Sequence, residues 1–149
     1  MMKPALERAR VVEAARAWLG TPYHHAADLH GVGVDCAMLL VRVFCDLGFI
    51  EPFDPRPYTR DWHLHRTDER YLSFLLARAR EVERPQAGDM IVFKIGRCYA
   101  HGGIVTAAEP LTILHAFLPA ACVVEEEAAR NAELGERLGA ARFFSYWGV

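Results

Sequence analysis

The sequence has no apolar run approaching the roughly 20 residues that span a bilayer, so no membrane-crossing helix is expected. Nor has it an excess of either charge: 17 Lys and Arg stand against 19 Asp and Glu, a formal charge of −2 with a pI near 6.4. A domain that holds nucleic acid by bulk electrostatics is strongly basic, and that class drops out. Internal repeats and low-complexity linkers are absent. Cysteine is sparse: Cys36, Cys45, Cys98 and Cys122 form no CxxC pair, which argues against a disulfide framework. We expect three buried packing thiols and one with a chemical role. The first twenty residues, MMKPALERARVVEAARAWLG, scatter charges among the apolar positions and lack the uninterrupted core of an export signal. Synthesis and folding in a reducing cytoplasm are expected.

What is present is the composition of a globular domain, 52% apolar and 24% charged over 149 residues. A chain of this size buries about 70% of its extended surface, enough for one core without staples. We therefore expect a single domain, residues 1–149.

Apolar residues Val11, Ala15, Trp18 and Leu19 recur at helical spacing within Pro4–Leu19, ahead of Gly20 and Pro22. A loop with three histidines, His24, His25 and His30, follows. The clearest element comes next: Cys36, Leu39, Leu40, Val43, Phe44 and Leu47 line one helix face, with Asp35 in the N-cap position and Gly48 past the end. Three prolines keep residues 51 to 66 irregular, and a third helix is predicted near Asp68–Arg80. The period then changes to two. Strands are predicted over Met90–Ile95, His101–Ala107, Thr112–Phe117, Cys122–Glu125 and Arg142–Trp147, with a short helix near Glu127–Leu138. Helices followed by a strand meander imply an α+β fold, its antiparallel sheet packed on the second helix.

On that reading Cys36 is the first residue after a helix cap, where unsatisfied N–H groups and the positive end of the dipole gather. A thiolate is favoured there, so its pKa is expected below the ordinary value of about 8.5. The same N–H groups suit the oxyanion of an acyl-transfer intermediate. Cys45 is rotated half a turn away and reads as packing. A thiolate nucleophile needs a base, and the base an orienting partner. His101 opens one predicted strand and His115 lies in the next, a polar residue in the apolar row Ile113, His115, Phe117. A hairpin centred near Glu109 sets His101 opposite residue 116, within a position of His115.

Five blocks in order resemble the NlpC/P60 cysteine peptidases of phage tails and cell-wall hydrolases. Gly20-Thr-Pro-Tyr23 is similar to the family's GTPY block and Val34-Asp-Cys36 to its DC block. Pro85-Gln-Ala-Gly-Asp-Met-Ile-Val-Phe93 resembles PxxGDxxxF, His101-Gly-Gly-Ile-Val105 resembles HxGIV, and Leu114-His-Ala116 resembles the strand of the third polar residue. The segment Tyr58-Thr-Arg-Asp-Trp-His63 is similar to an insertion of phage-encoded members. The resemblance implies a papain-like α+β fold with Cys36 as nucleophile, His101 as base and His115 orienting its ring. It places the Tyr23 hydroxyl near the thiol, to hold substrate or oxyanion. The implied reaction hydrolyses an amide in a peptidoglycan stem peptide, without a cofactor, and phage tail proteins are implied as partners. Two blocks depart from the family. Ala37-Met38 replace the Ser-Gly that commonly follows the cysteine, and His24-His-Ala-Ala27 replace Trp-Gly-Gly, which changes a groove wall.

Plainer roles accompany these. Asp35 is a helix cap, with amine binding as a second role, and His24 or His25 is a groove contact. His24, His25, His30, His63 and His65 lack the compact spacing of a zinc site, so no metal is expected. Trp62 and Tyr58 read as cover for a core edge, Arg60 and Arg97 as surface charge, and Glu125-Glu-Glu127 as the acidic first turn of a helix. The leading expectation is a cysteine peptidase or amidase whose ion-paired thiolate reacts readily at pH 6. The alternatives are a phage-tail assembly component with a vestigial site and an acyltransferase on the same scaffold. Access to the wall would come through a virion or through lysis.

Overall fold

The computed structural model describes residues 3–59 and 69–148. Arg60, Trp62, His63 and His65, and with them the end of the Tyr58–His63 segment, lie outside the described residues.

Helix α1, Pro4–Arg16, starts with proline at its first position, where the missing N–H costs nothing, and buries Val11, Val12 and Ala15. It stops before Leu19, which stands 45% exposed instead of joining the apolar face. A two-strand ribbon follows, β1 (Asp28–Leu29) and β2 (Gly33–Val34). Helix α2, Cys36–Asp46, begins where the periodicity places it: the Asp35 carboxylate accepts the Met38 N–H at 2.9 Å. Met38, Leu39, Leu40, Val41, Val43 and Phe44 are its buried residues. Helix α3 runs only from Arg70 to Leu76, because Arg80–Val82 leaves the helical path to become strand β3. That strand is three largely exposed residues without an apolar alternation, so no pattern announced it.

The remaining strands are β4 (Met90–Ile95), β5 (Cys98–Ala108), β6 (Leu111–Phe117), β7 (Cys122–Glu127) and β8 (Arg142–Ser145). They form one antiparallel sheet of order β3-β8-β4-β5-β6-β7. Period two sorts its side chains. Met90, Val92, Ile104, Leu114, Ala116 and Phe144 pack with α1 and α2 in the main core. Ile91, Phe93, Val105 and Ile113 form a second core with Ala128 and Leu134. The segment that covers this second face is not the expected helix but two 3-10 turns, Ala128–Arg130 and Gly135–Ala140. Between them the Asn131 side chain accepts the backbone N–H groups of Glu133 (3.0 Å) and Leu134 (2.9 Å), a local bond that competes with a helical ladder.

The PQAGD turn before β4 is held from α1. Arg8 donates to Asp89 Oδ1 (2.8 Å) and to the Ala87 carbonyl (3.0 Å), and lies 4.2 Å over the Trp147 ring. Asp89 Oδ2 in turn accepts the Gln86 N–H at 2.8 Å. The result is the expected α+β architecture, with the cysteine at the start of a central helix that packs on β5 and β6.

Candidate active site

Cys36 opens α2, and its Sγ lies 3.8 Å from the carbonyl oxygen of Ala100, the residue before His101. Cys36 and His101 line one cleft of about 390 Å³, together with Tyr23, Asp35, Tyr58 and Tyr71 and with mainly apolar side chains of α2, α3 and residues 49–59. The two histidines meet as expected: His101 Nε2 is 2.7 Å from His115 Nδ1. The pairing register differs by about one position from the hairpin reading. Ile104 faces Leu114 and Val105 faces Ile113, which carries His115 to the level of Gly103 and leaves His101 two residues along on the same face. The rings of Phe93 and Phe117 flank His101, and Phe117 stacks on His115 at 4.9 Å between centroids.

Both glycines of the His-Gly-Gly block are required by close approach. A Cβ on Gly103 would stand 3.0 Å from His115 Cβ and 3.0 Å from the Leu114 carbonyl. On the other side of the strand, a Cβ on Gly102 would overlap the Tyr71 hydroxyl and stand 2.8 Å from its Cζ. Tyr71 uses that space to donate to the Cys36 carbonyl at 3.3 Å. Gly102→Ala should therefore displace Tyr71 and lower stability by about 1–3 kcal/mol, the usual cost of overpacking. Thermal denaturation checks this; an unchanged melting temperature would count against the contact.

The ionisation of the pair departs from the sequence expectation. Burial, reinforced by the adjacent Asp35 carboxylate, pushes the Cys36 thiol up to about 12. The backbone N–H groups of Gly102, Cys36 and Ala37 act in the opposite sense but are outweighed. A helix start contributes about 0.3–1 kcal/mol to an anion, which desolvation exceeds. Burial and the neighbouring His115 push His101 down to about 3. Both shifts act against a thiolate–imidazolium pair and favour the neutral forms of the two side chains.

Asp35 is buried and engaged from three sides. Besides capping α2 it accepts, on Oδ2, the Ala26 N–H at 2.7 Å and the Tyr58 hydroxyl at 2.5 Å. It ties the histidine loop and the proline-rich segment to the helix start. Tyr58 and Tyr71 are both held well above the ordinary tyrosine range, first by burial and then by nearby acidic groups, so both hydroxyls stay protonated. Tyr71 supplies a hydroxyl beside the cysteine that sequence reasoning missed; Tyr23, the expected one, lines the same cleft.

His24 is not at the cleft. The bridge between Tyr23 and Val34 turns Tyr23 inward and its successor outward, and His24 Nδ1 lies 3.3 Å from the His25 carbonyl. The chain then turns back through Ala26 at φ +60°, and His25 lines the cleft, its Nε2 3.0 Å from the Tyr58 carbonyl. Among the other cysteines Cys98 is buried, whereas Cys45 and Cys122 are only partly so, and no disulfide forms among the described residues. No group of three His, Cys, Asp or Glu side chains among the described residues is arranged to hold a metal ion.

Beyond His115 the polar chain continues. His115 Nε2 is 2.7 Å from Glu126 Oε2, which also accepts Asn131 Nδ2 at 3.1 Å. Glu126 was expected in a helix. It lies instead on strand β7, where His115 faces Val124 and Glu126 pairs with Ile113. The run of three glutamates carries no periodicity that could have revealed the one turned toward His115.

Neither a family model nor a curated protein sequence matches the chain. Solved structures do. The NlpC/p60 domain of peptidoglycan hydrolase SagA superposes with a TM-score of 0.59 at 20% identity, covering 84% of this chain and 92% of that one. NlpC1 from Trichomonas vaginalis gives 0.64 at 16%, covering 89% and 43%. A lipoprotein-like protein of the NLP/P60 family from Staphylococcus aureus subsp. aureus Mu50 gives 0.61 at 17%, covering 95% and 42%. The chain therefore spans less than half the length of these last two proteins. At such identities the likeness establishes the fold, the papain-like α+β arrangement of NlpC/P60 domains.

Proposed function

We propose that this chain, with the fold of an NlpC/P60 domain, is a cysteine hydrolase that cleaves amide bonds in peptidoglycan stem peptides. The observation that carries the reading is that His101, 2.7 Å from the enclosed His115, shares a cleft with a cysteine at a helix start. Support for the substrate class comes from SagA, a peptidoglycan hydrolase, and from the five sequence blocks.

In this mechanism Cys36 Sγ attacks the carbonyl carbon while His101 accepts the thiol proton, giving a tetrahedral oxyanion and an imidazolium. N–H groups at the start of α2 stabilise the oxyanion. His101 returns its proton to the amine nitrogen, the C–N bond breaks, and a thioester remains on Cys36. A water, deprotonated by His101, attacks the thioester; the acid leaves and the thiol is restored. His115 holds the His101 ring through both halves. Association with phage tail proteins is part of this proposal and rests on the sequence resemblance.

The test is mass spectrometry of purified peptidoglycan after incubation with the protein, with and without an added primary amine. The expected products are stem peptides split at an amide by addition of one water, the glycan intact. Intact stems or cleaved glycan would overturn the proposal. Amine adducts replacing the acid product would overturn hydrolysis in favour of acyl transfer.

A further inference from the structure

We infer that Glu126, held by Asn131, is a positioning residue that sets which nitrogen of His101 carries its proton. This rests on the proposed role of His101 as the base and goes beyond it.

One chain of hydrogen bonds leads to His101, each donor in it determined by the one before. It starts at two backbone N–H groups, those of Glu133 and Leu134, which can only donate. Both point at the same oxygen of Asn131, at 3.0 and 2.9 Å, so this atom is the amide oxygen and the other terminus is the NH2. That NH2 donates to Glu126 Oε2 at 3.1 Å. The same carboxylate oxygen is 2.7 Å from His115 Nε2, and a carboxylate accepts, so His115 carries its hydrogen on Nε2. In a neutral imidazole the remaining nitrogen is then an acceptor. His115 Nδ1 therefore accepts from His101 Nε2 at 2.7 Å, which puts the hydrogen of His101 on Nε2. Its Nδ1 keeps the lone pair that the thiol proton requires.

The direction matters because the pair is symmetric without its outer end. Two neutral imidazoles joined by one hydrogen bond are as well satisfied when His115 Nδ1 donates to His101 Nε2. In that arrangement the hydrogen of His101 sits on Nδ1, and the ring cannot take a proton there. Glu126 removes the symmetry: reversal would leave its oxygen facing an unprotonated Nε2, a repulsive contact in a mostly buried place. The His115 side chain is fully enclosed, so water cannot substitute from its own side, whereas Glu126 is 30% exposed at the sheet edge. Glu126 touches neither the cleft nor the sulfur and acts only through His115.

The experiment is nitrogen-15 NMR of the imidazole rings in the 149-residue chain, joined to the hydrolysis rate and its kcat and KM. In the parent, His115 and His101 are both expected as Nε2–H tautomers. Observing Nδ1–H on either ring in the parent would overturn the inference whatever any variant does. Glu126→Gln keeps an oxygen facing the same two donors and removes the charge; the tautomers should persist, with kcat within about 3-fold of the parent. Glu126→Ala removes the acceptor; an Nδ1–H signal on His101 should appear, with kcat reduced roughly 10–100-fold at unchanged KM. Parent-like tautomers in Glu126→Ala would overturn it as well. The NMR arms stand even if no substrate is cleaved, which separates a failure here from a failure of the proposed hydrolysis.

Discussion

On the proposed mechanism, Cys36→Ala is expected to reduce peptidoglycan hydrolysis by at least about 10⁴-fold, because removing the nucleophile of a cooperating set costs nearly all of its contribution. The fold should survive. Alanine is the strongest helix former and suits the first turn of α2, and the cap is made by Asp35, whose bond to Met38 the substitution leaves in place. The sulfur gives up a long contact of 3.8 Å to the Ala100 carbonyl. We expect a stability change below about 1.5 kcal/mol, the range of a small buried deletion. Hydrolysis followed by fragment release, beside thermal denaturation of the same sample, checks both halves. A variant that turns over at the parent rate would remove Cys36 from the mechanism, and with it the reading of the cleft.

The second large effect concerns the parent thiol. With Cys36 pushed up to about 12, its thiolate is scarce at neutral pH. Its alkylation by iodoacetamide at pH 7 should be about 10³-fold slower than that of a free cysteine with a pKa near 8.5. The rate should climb about tenfold per pH unit up to strongly alkaline solution. Peptide mapping separates Cys36 from Cys45 and Cys122, which are partly exposed as Cys36 is and serve as internal references. Rapid alkylation at pH 6 would contradict this and restore a preformed thiolate–imidazolium pair.

The same ionisations shape stability, with opposite signs at the two ends of the pH scale. The raised thiol contributes stability present below its unfolded value, lost as pH rises toward about 12. The depressed imidazole of His101 contributes stability present above its unfolded value of about 6.5, lost as pH falls toward about 3. The protein should be most stable between these limits and lose stability on acidification below about pH 6.5 as His101 charges on unfolding.

Much of this architecture could be read along the chain. The apolar period of α2, the cap at Asp35 and the stop at Gly48 are local signals, each contained within a dozen residues. They place Cys36 at a helix start without any tertiary contact. Alternation in Met90–Ile95 separated Ile91 and Phe93 from Met90 and Val92, and the sheet buries the two sets in different cores. The short turn between β5 and β6 was enough to bring His101 and His115 together, although the turn is centred about one residue later than expected and the register shift near Val105 makes up only part of the difference.

The chemistry of the cleft could not be read that way. Asp35 looked like a cap and is one, but its charge beside the sulfur helps set the thiol's proton affinity. Tyr71 reaches Cys36 only because Gly102, distant in sequence, leaves a gap. Choosing His25 over His24 needed the turn at Ala26, and choosing Glu126 from three successive glutamates needed strand β7 and the Asn131 turn. Element type follows from backbone preference and burial periodicity, which neighbouring residues supply. Proton affinity and hydrogen-bond direction are sums over groups that folding brings together from across the chain, and they exist only once those groups share a low-dielectric space.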